Sequence, residues 1–387
     1  MNNGRLKISD RHLKFVLHNI NLRKMHRRVH LWMGLSVGVL FTIIALTGAI
    51  LVFYNELDSV FNLPVTDTSQ NVSAPDYNNA LHTLRAAYPD KTRSWRFEVT
   101  DDGGVIPARF YNPAETAGED FAPMMVWLSA DGSTILRRDF WGQYFVTWIY
   151  DLHFRLLLGK TGGVVVGYLG LACTYLLVSG LIAWWPKRGQ WQKQLRFKRR
   201  TNRIGLLYDW HKTLGLISAV PLLLLCITGV MLALPDESRF VLEPVFGPSQ
   251  YASFNADNAA SASPAIPPAR ALSIAEQTLP GSKGAWIETP DVEGSRSHYR
   301  IRLQADGDPS RRFPHSYVYI DGASGKVMEV FDYHQQGTTN TIMNWLHPLH
   351  DGTFFKLAGR VLWVITGLLT LALFVLGLWR WRMRTTR

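Results

Sequence analysis

The chain has 387 residues, 47% of them apolar, and a formal net charge of +11. The average hides an uneven distribution: the apolar residues gather into four runs almost free of charge, and the basic residues gather beside them. That pattern reads as membrane topology, excludes an ordinary soluble enzyme, and leaves no role for nucleic acid as a partner.

In chain order, residues 1–54 hold a basic N-terminal stretch (Arg23, Lys24, Arg27, Arg28) and the first apolar run, 31–54. A run this long and this far from the start predicts a retained helix rather than a cleaved signal peptide. Residues 55–140 form a first external domain. It has a short helix over 79–89, a strand over 94–100, and a strand–turn–strand over 125–140. Residues 141–185 carry His153 and the second run, 162–185. Residues 186–210 form a basic loop, and 211–234 carry His211 and the third run, 214–234. Residues 235–340 form a second external domain with a Ser/Ala/Pro-rich linker at 249–268. It then has a helix over 269–280, a strand over 298–304 and a strand–turn–strand over 317–332. Residues 341–387 carry His350, the fourth run, 357–379, and a basic tail.

Each run is long enough to cross a hydrocarbon core of about 30 Å at about 1.5 Å per helical residue. Four spans place the N-terminus, the middle loop and the C-terminus on one side. The positive charge on all three makes that side the cytoplasm of a bacterial inner membrane. Trp184, Trp185, Trp379 and Trp381 sit where an interfacial aromatic belt falls, against the lipid bilayer. The two cysteines, Cys173 and Cys226, lie inside apolar runs and read as small packing residues.

The chain reads as a duplication. Both His30 and His211 are followed by Gly-Leu four and five residues later (Gly34, Gly215) and by Thr-Gly seventeen and eighteen residues later (Thr47-Gly48, Thr228-Gly229). Both His153 and His350 have Trp five residues before (Trp148, Trp345), Gly nine after (Gly162, Gly359) and Gly-Leu twenty-seven and twenty-eight after (Gly180, Gly377). The expected fold class is therefore an α-helical membrane protein of four transmembrane helices arranged as two parallel repeats, with small α+β external domains.

A single histidine near a membrane surface is usually an interfacial or packing residue. Four of them, paired by spacing and by depth, point elsewhere. Two imidazoles facing across a bundle can take both axial positions of a haem iron, provided the other ring nitrogen finds an acceptor. Depth pairs His30 with His211 near the inner face and His153 with His350 near the outer face, so two b-type haems are expected. Gly34, Gly38, Gly215 and Ser218 lie on the faces of His30 and His211. They offer room for a macrocycle or for close helix packing. Arg27, Arg28 and Lys212 on the inner side, and Arg155, Lys160, Lys356 and Arg360 on the outer side, are candidate propionate partners or ordinary surface charge. His26 and His347 lie one turn from His30 and His350 and are weaker ligand candidates. His12, His18, His82, His298, His315 and His334 have no repeat partner and read as surface residues, with His334 and His347 kept as contacts for an outside substrate. Trp148, Met343 and Trp345 are candidates for lining such a site or for interface packing.

The segments "HLWMGL" and "HKTLGL" at the heads of the first and third helices, "LH" before a Gly-rich stretch at 152–163 and 349–359, and the strand–turn–strand at Asp321-Gly322 resemble the PepSY-associated transmembrane family. The nearest resemblance is to its siderophore-reductase branch. The resemblance covers essentially the whole chain. It implies a dihaem b-type reductase that takes electrons from a cytoplasmic or quinol donor. Its implied acceptor is a ferric hydroxamate siderophore in the periplasm, which it reduces to release ferrous iron. It places the haem ligands on His30, His153, His211 and His350. The first copy has Arg155 where the second has the "HDG" glycine, so the two outer segments are not equivalent. Two other readings stay open: a quinol-linked cytochrome b with another periplasmic acceptor, and a haem-free PepSY scaffold. A transporter is disfavoured, because no charge lies deep in any run. The cytoplasmic segments are too short for a flavin or nicotinamide domain, so the donor is a separate molecule.

Overall fold

The computed structural model describes residues 22–62, 74–100, 104–198, 200–252 and 266–386. His12, His18 and most of the 249–268 linker lie outside the described residues. Four helices are long and apolar enough to cross a membrane. They are α1 (Leu22–Leu51), α5 (Gly159–Trp184), α7 (Arg203–Ala233) and α11 (Lys356–Thr385). Between them lie α2 (Tyr54–Phe61), α3 (Tyr77–Ala87), α4 (Phe145–Arg155), α6 (Trp191–Leu195), α8 (Pro235–Phe246), α9 (Pro268–Thr278) and α10 (Thr338–Asp351).

The chain divides into two units. Met1–Leu46, Tyr168–Ile227 and Ile365–Arg387 form the first, made of parts of the four spanning helices. Close approach there depends on glycine: a Cβ on Gly38 of α1 would meet the Phe374 ring of α11 at 3.0 Å. Thr47–Gly167 and Thr228–Val364 form the second unit, which contains the extramembranous sheet.

That sheet has eight strands in the order β4-β3-β2-β1-β5-β6-β7-β8. They are β1 (Trp95–Glu98), β2 (Val105–Phe110), β3 (Met124–Ser129), β4 (Ile135–Phe140), β5 (Lys283–Glu288), β6 (His298–Gln304), β7 (Ser316–Asp321) and β8 (Val327–Phe331). Every neighbouring pair is antiparallel. The sequence suggested a small module in each external segment. Instead, β1 and β5, which would each end a four-stranded meander with unpaired amides, pair with each other and join the meanders into one sheet.

Alternation along the strands gives the sheet two different faces. Trp95, Phe97, Ile106, Ile287, Tyr299 and Ile301 point to one side and are fully buried beneath α3 and α9, which contribute Leu84, Ala271 and Ala275. Phe97 stands opposite Ile287 at the junction of the two meanders. Phe97→Ala is expected to cost about 3–5 kcal/mol, through lost burial and the cavity left behind. A drop in the denaturation midpoint of detergent-solubilised protein checks it. The other face carries Arg96, Glu98, Arg109, Trp286, Glu288, Arg300 and Arg302.

His298, read from the sequence as a surface residue, instead opens β6 and is only 4% exposed, because it begins a strand inside the sheet. Burial, with Arg296 and Arg300 adding to it, lowers its pKa to about 4. The folded protein therefore holds this ring neutral, whereas the unfolded chain protonates it near the ordinary value of about 6.5. Its contribution to stability is full above about 6.5 and is lost as pH falls toward 4. The melting temperature should fall between pH 7 and pH 4.5; a flat profile would contradict the assignment.

Candidate functional site

In the first unit His30 of α1 faces His211 of α7, with ring centroids 6.1 Å apart and planes at 81°. His30 Nδ1 lies 3.0 Å from the Leu176 carbonyl of α5 and 3.3 Å from the Ser179 hydroxyl. His211 Nδ1 lies 3.0 Å from the Leu373 carbonyl of α11. A carbonyl only accepts, so Nδ1 donates in both rings and Nε2 keeps its lone pair. Glycine seats each ring. A Cβ on Gly180 would meet His30 Cε1 at 2.9 Å, and one on Gly377 would meet His211 Cε1 at 3.4 Å.

The second unit has a similar arrangement with different Nδ1 partners. His153 of α4 and His350 of α10 have ring centroids 6.2 Å apart and planes at 46°. Their Nδ1 atoms lie 3.2 Å from Thr47 Oγ1 and 2.9 Å from Thr228 Oγ1, respectively. A hydroxyl donates or accepts, so these contacts orient the rings without choosing the tautomer. A Cβ on Gly48 would meet His153 Cε1 at 2.8 Å, and one on Gly229 would meet His350 Cε1 at 3.0 Å.

Several residues picked out by spacing touch the four rings. The Thr-Gly pairs hold His153 and His350, and Leu176, Gly180, Leu373 and Gly377 hold His30 and His211. Gly162 and Gly359 pack against the carbonyls of Arg155 and Gly352, where a Cβ has no room. The missing "HDG" glycine has a visible consequence. α10 ends on Gly352 at φ +79°, whereas α4 ends on Leu156 at φ +51°, followed by Leu157 at φ +60°. Left-handed backbone costs a residue with a Cβ about 1–2 kcal/mol. The segment after His153 thus carries its left-handed non-glycine residues at the helix end, whereas the segment after His350 carries one four residues later, at Lys356 (φ +53°), where the first has Gly159 (φ +58°).

Other sequence candidates fall elsewhere. Gly34 has nothing near its Cβ position, Gly215 faces Leu373 at 3.7 Å, and Ser218 donates to its own helix at Leu214. Lys212 Nζ is held by Asp209 and the Arg196 carbonyl, and Arg360 by Glu56 and the Val52 carbonyl. The Arg155 guanidinium lies over the Phe121 and Phe154 rings. His26 Nδ1 lies 3.3 Å from the Tyr175 hydroxyl, and His347 packs on the Phe313 ring at 4.6 Å. Burial, then Arg312, His315 and Arg302, lowers the His347 pKa to about 4. His315 pairs with Asp308, His334 lies between Asp332 and the Asp306 carbonyl, and His82 is exposed. Trp345 packs on Phe354, and Trp148 is exposed. Among the described residues no cluster of three or more His, Cys, Asp or Glu gathers as a metal site would; the imidazoles meet in twos.

Four apolar spans together with an open eight-stranded sheet define a multi-pass helical membrane protein with an extramembranous α/β domain. The model of the PepSY-associated TM region matches residues 27–384, and the chain belongs to that family. No curated protein matches it.

Proposed function

We propose that the chain is a dihaem b-type transmembrane electron carrier, with one haem held by His30 and His211 and the other by His153 and His350. The observation that carries this reading is the ring separation within each pair. Two metal–nitrogen bonds of about 2.0 Å, plus about 1.2 Å from each nitrogen to its ring centre, give about 6.4 Å. The separations are 6.1 and 6.2 Å. Two further features support the fit. The carbonyls on Nδ1 of His30 and His211 leave the Nε2 lone pairs for a metal. Both pairs are also seated on glycine, so their positions are set by packing. A bound haem would supply reversible one-electron transfer. The protein's part is to orient the imidazoles, tune their basicity through the Nδ1 partners and exclude water.

For the acceptor, we propose a ferric hydroxamate siderophore on the external side, from the resemblance to the family's siderophore-reductase branch. One electron converts the bound iron from ferric to ferrous, which hard hydroxamate oxygens hold far less tightly. The donor is a cytoplasmic protein or a membrane quinol. Dithionite-reduced protein mixed anaerobically with ferrioxamine should return to its oxidised spectrum as ferrous iron appears. If no hydroxamate complex reoxidises it, the siderophore assignment fails while the haem reading stands.

The threonine contacts carry a smaller expectation. Thr228→Val removes one hydrogen-bonding contact of the His350 Nδ1 with little change in volume. Losing a hydrogen-bond partner of a metal-holding imidazole weakens metal retention about tenfold to a hundredfold. Haem loss measured by transfer to apomyoglobin should therefore quicken for one haem of the two.

A further inference from the structure

The second face of the sheet is rich in arginine and poor in acid. Glu98 is shared by Arg96 and Arg109, with Arg312 also in electrostatic reach. Glu288 is shared by Arg296 and Arg300. Arg302 donates to the Pro314 carbonyl and lies over Trp286 at 4.3 Å; Arg96 lies over the same ring at 3.9 Å. The Nε atoms of Arg96, Arg109 and Arg300 are buried and donate to nothing among the described residues. So many guanidinium groups around so few carboxylates is a costly arrangement unless a further anion completes it.

Arg312 is where that anion belongs. Among the described residues its guanidinium makes no hydrogen bond and no ion pair; its ring contacts are Tyr54 at 4.2 Å and Phe313 at 5.2 Å. Its electrostatic neighbours include Tyr150 of α4 and His347 of α10. Those two stand three residues before His153 and His350, one helical turn away on the same faces. We propose that Arg312, walled by Tyr54 and Phe313, is a carboxylate-binding site one turn beyond the His153–His350 pair. A planar fork of five donors suits a carboxylate held by two parallel hydrogen bonds. The carboxylate comes either from a propionate of the haem assigned above to that pair, a source that rests on the haem reading, or from a free carboxylate on the external side.

Full-length protein in detergent, as wild type, Arg312→Gln and Arg312→Lys, separates the two sources. With a propionate at the site, reductive titration shifts one midpoint of the two downward in Arg312→Gln, because a positive charge is lost, and citrate leaves the wild-type melting temperature unchanged. With a free carboxylate, citrate raises the wild-type melting temperature at matched ionic strength. Citrate affinity then drops at least tenfold in Arg312→Gln, and the midpoints stay put. Arg312→Lys shows the same change to a lesser degree and replaces the glutamine variant if that one does not accumulate. Unchanged midpoints together with an unchanged or absent citrate response overturn the proposal. In protein without haem, the citrate arm alone decides: a response lost in the variants supports the site, and no response overturns it.

Discussion

Alanine at His30 or at His211 is expected to remove the same haem, taking the purified protein from two haems per chain to one. The two rings lie 6.1 Å apart and their Nδ1 atoms are tied to carbonyls on α5 and α11, so each imidazole completes what the other begins. The double variant should lose no more than either single one, the non-additivity expected of residues acting as a unit. His153→Ala and His350→Ala should behave as a second such set, and combining one variant from each pair should give colourless protein. Haem content and the reduced absorption bands provide the readout. If His30→Ala and His211→Ala keep full haem, the first pairing is wrong.

The second large effect comes from residues that carry no chemistry. Leucine at Gly180 or Gly48 is expected to cost as much haem as loss of the histidine it faces, because its Cβ would fall 2.9 Å from His30 or 2.8 Å from His153. Either the imidazole leaves its position or the helices part; overpacking of this kind costs about 1–3 kcal/mol. Gly163→Ala is the matched control, since its Cβ would stand 3.9 Å from the nearest neighbour, the Phe154 carbonyl. Gly180→Leu and Gly163→Ala with equal haem content would show that the ring seats do not matter.

The spanning helices were legible because lipid imposes one rule on a whole helix: long, apolar, uncharged. The four histidines were legible through spacing. Their supports were only half read. Thr47-Gly48, Gly180 and Gly377 stood out as repeated positions, yet room around the rings was assigned to Gly34 and Gly38. Spacing along one helix is visible in a sequence, whereas contact across helices is not. The strands divided in the same way. The two strand–turn–strands have alternation and Asp-Gly or Gly-rich turns, and the structure has them as β3–β4 and β7–β8. β2 was missed because Pro107 argues against a strand. It lies one residue beyond the β1 register, opposite Trp127 of β3. β5 was missed because it contains Gly284 and its apolar residues, Ala285, Trp286 and Ile287, run together rather than alternate. The pairing of β1 with β5 joins residues nearly two hundred positions apart, beyond any local signal. Arg312 gave no signal at all, because its meaning depends on the carboxylates that are not beside it.

Haem stoichiometry tests the central claim most directly. Pyridine haemochrome analysis of the purified full-length protein, set against protein concentration from amino-acid analysis, should give two b-type haems per chain. Folded, monodisperse protein with no absorbance in the Soret region would contradict the account, because the paired imidazoles would then hold no iron between them.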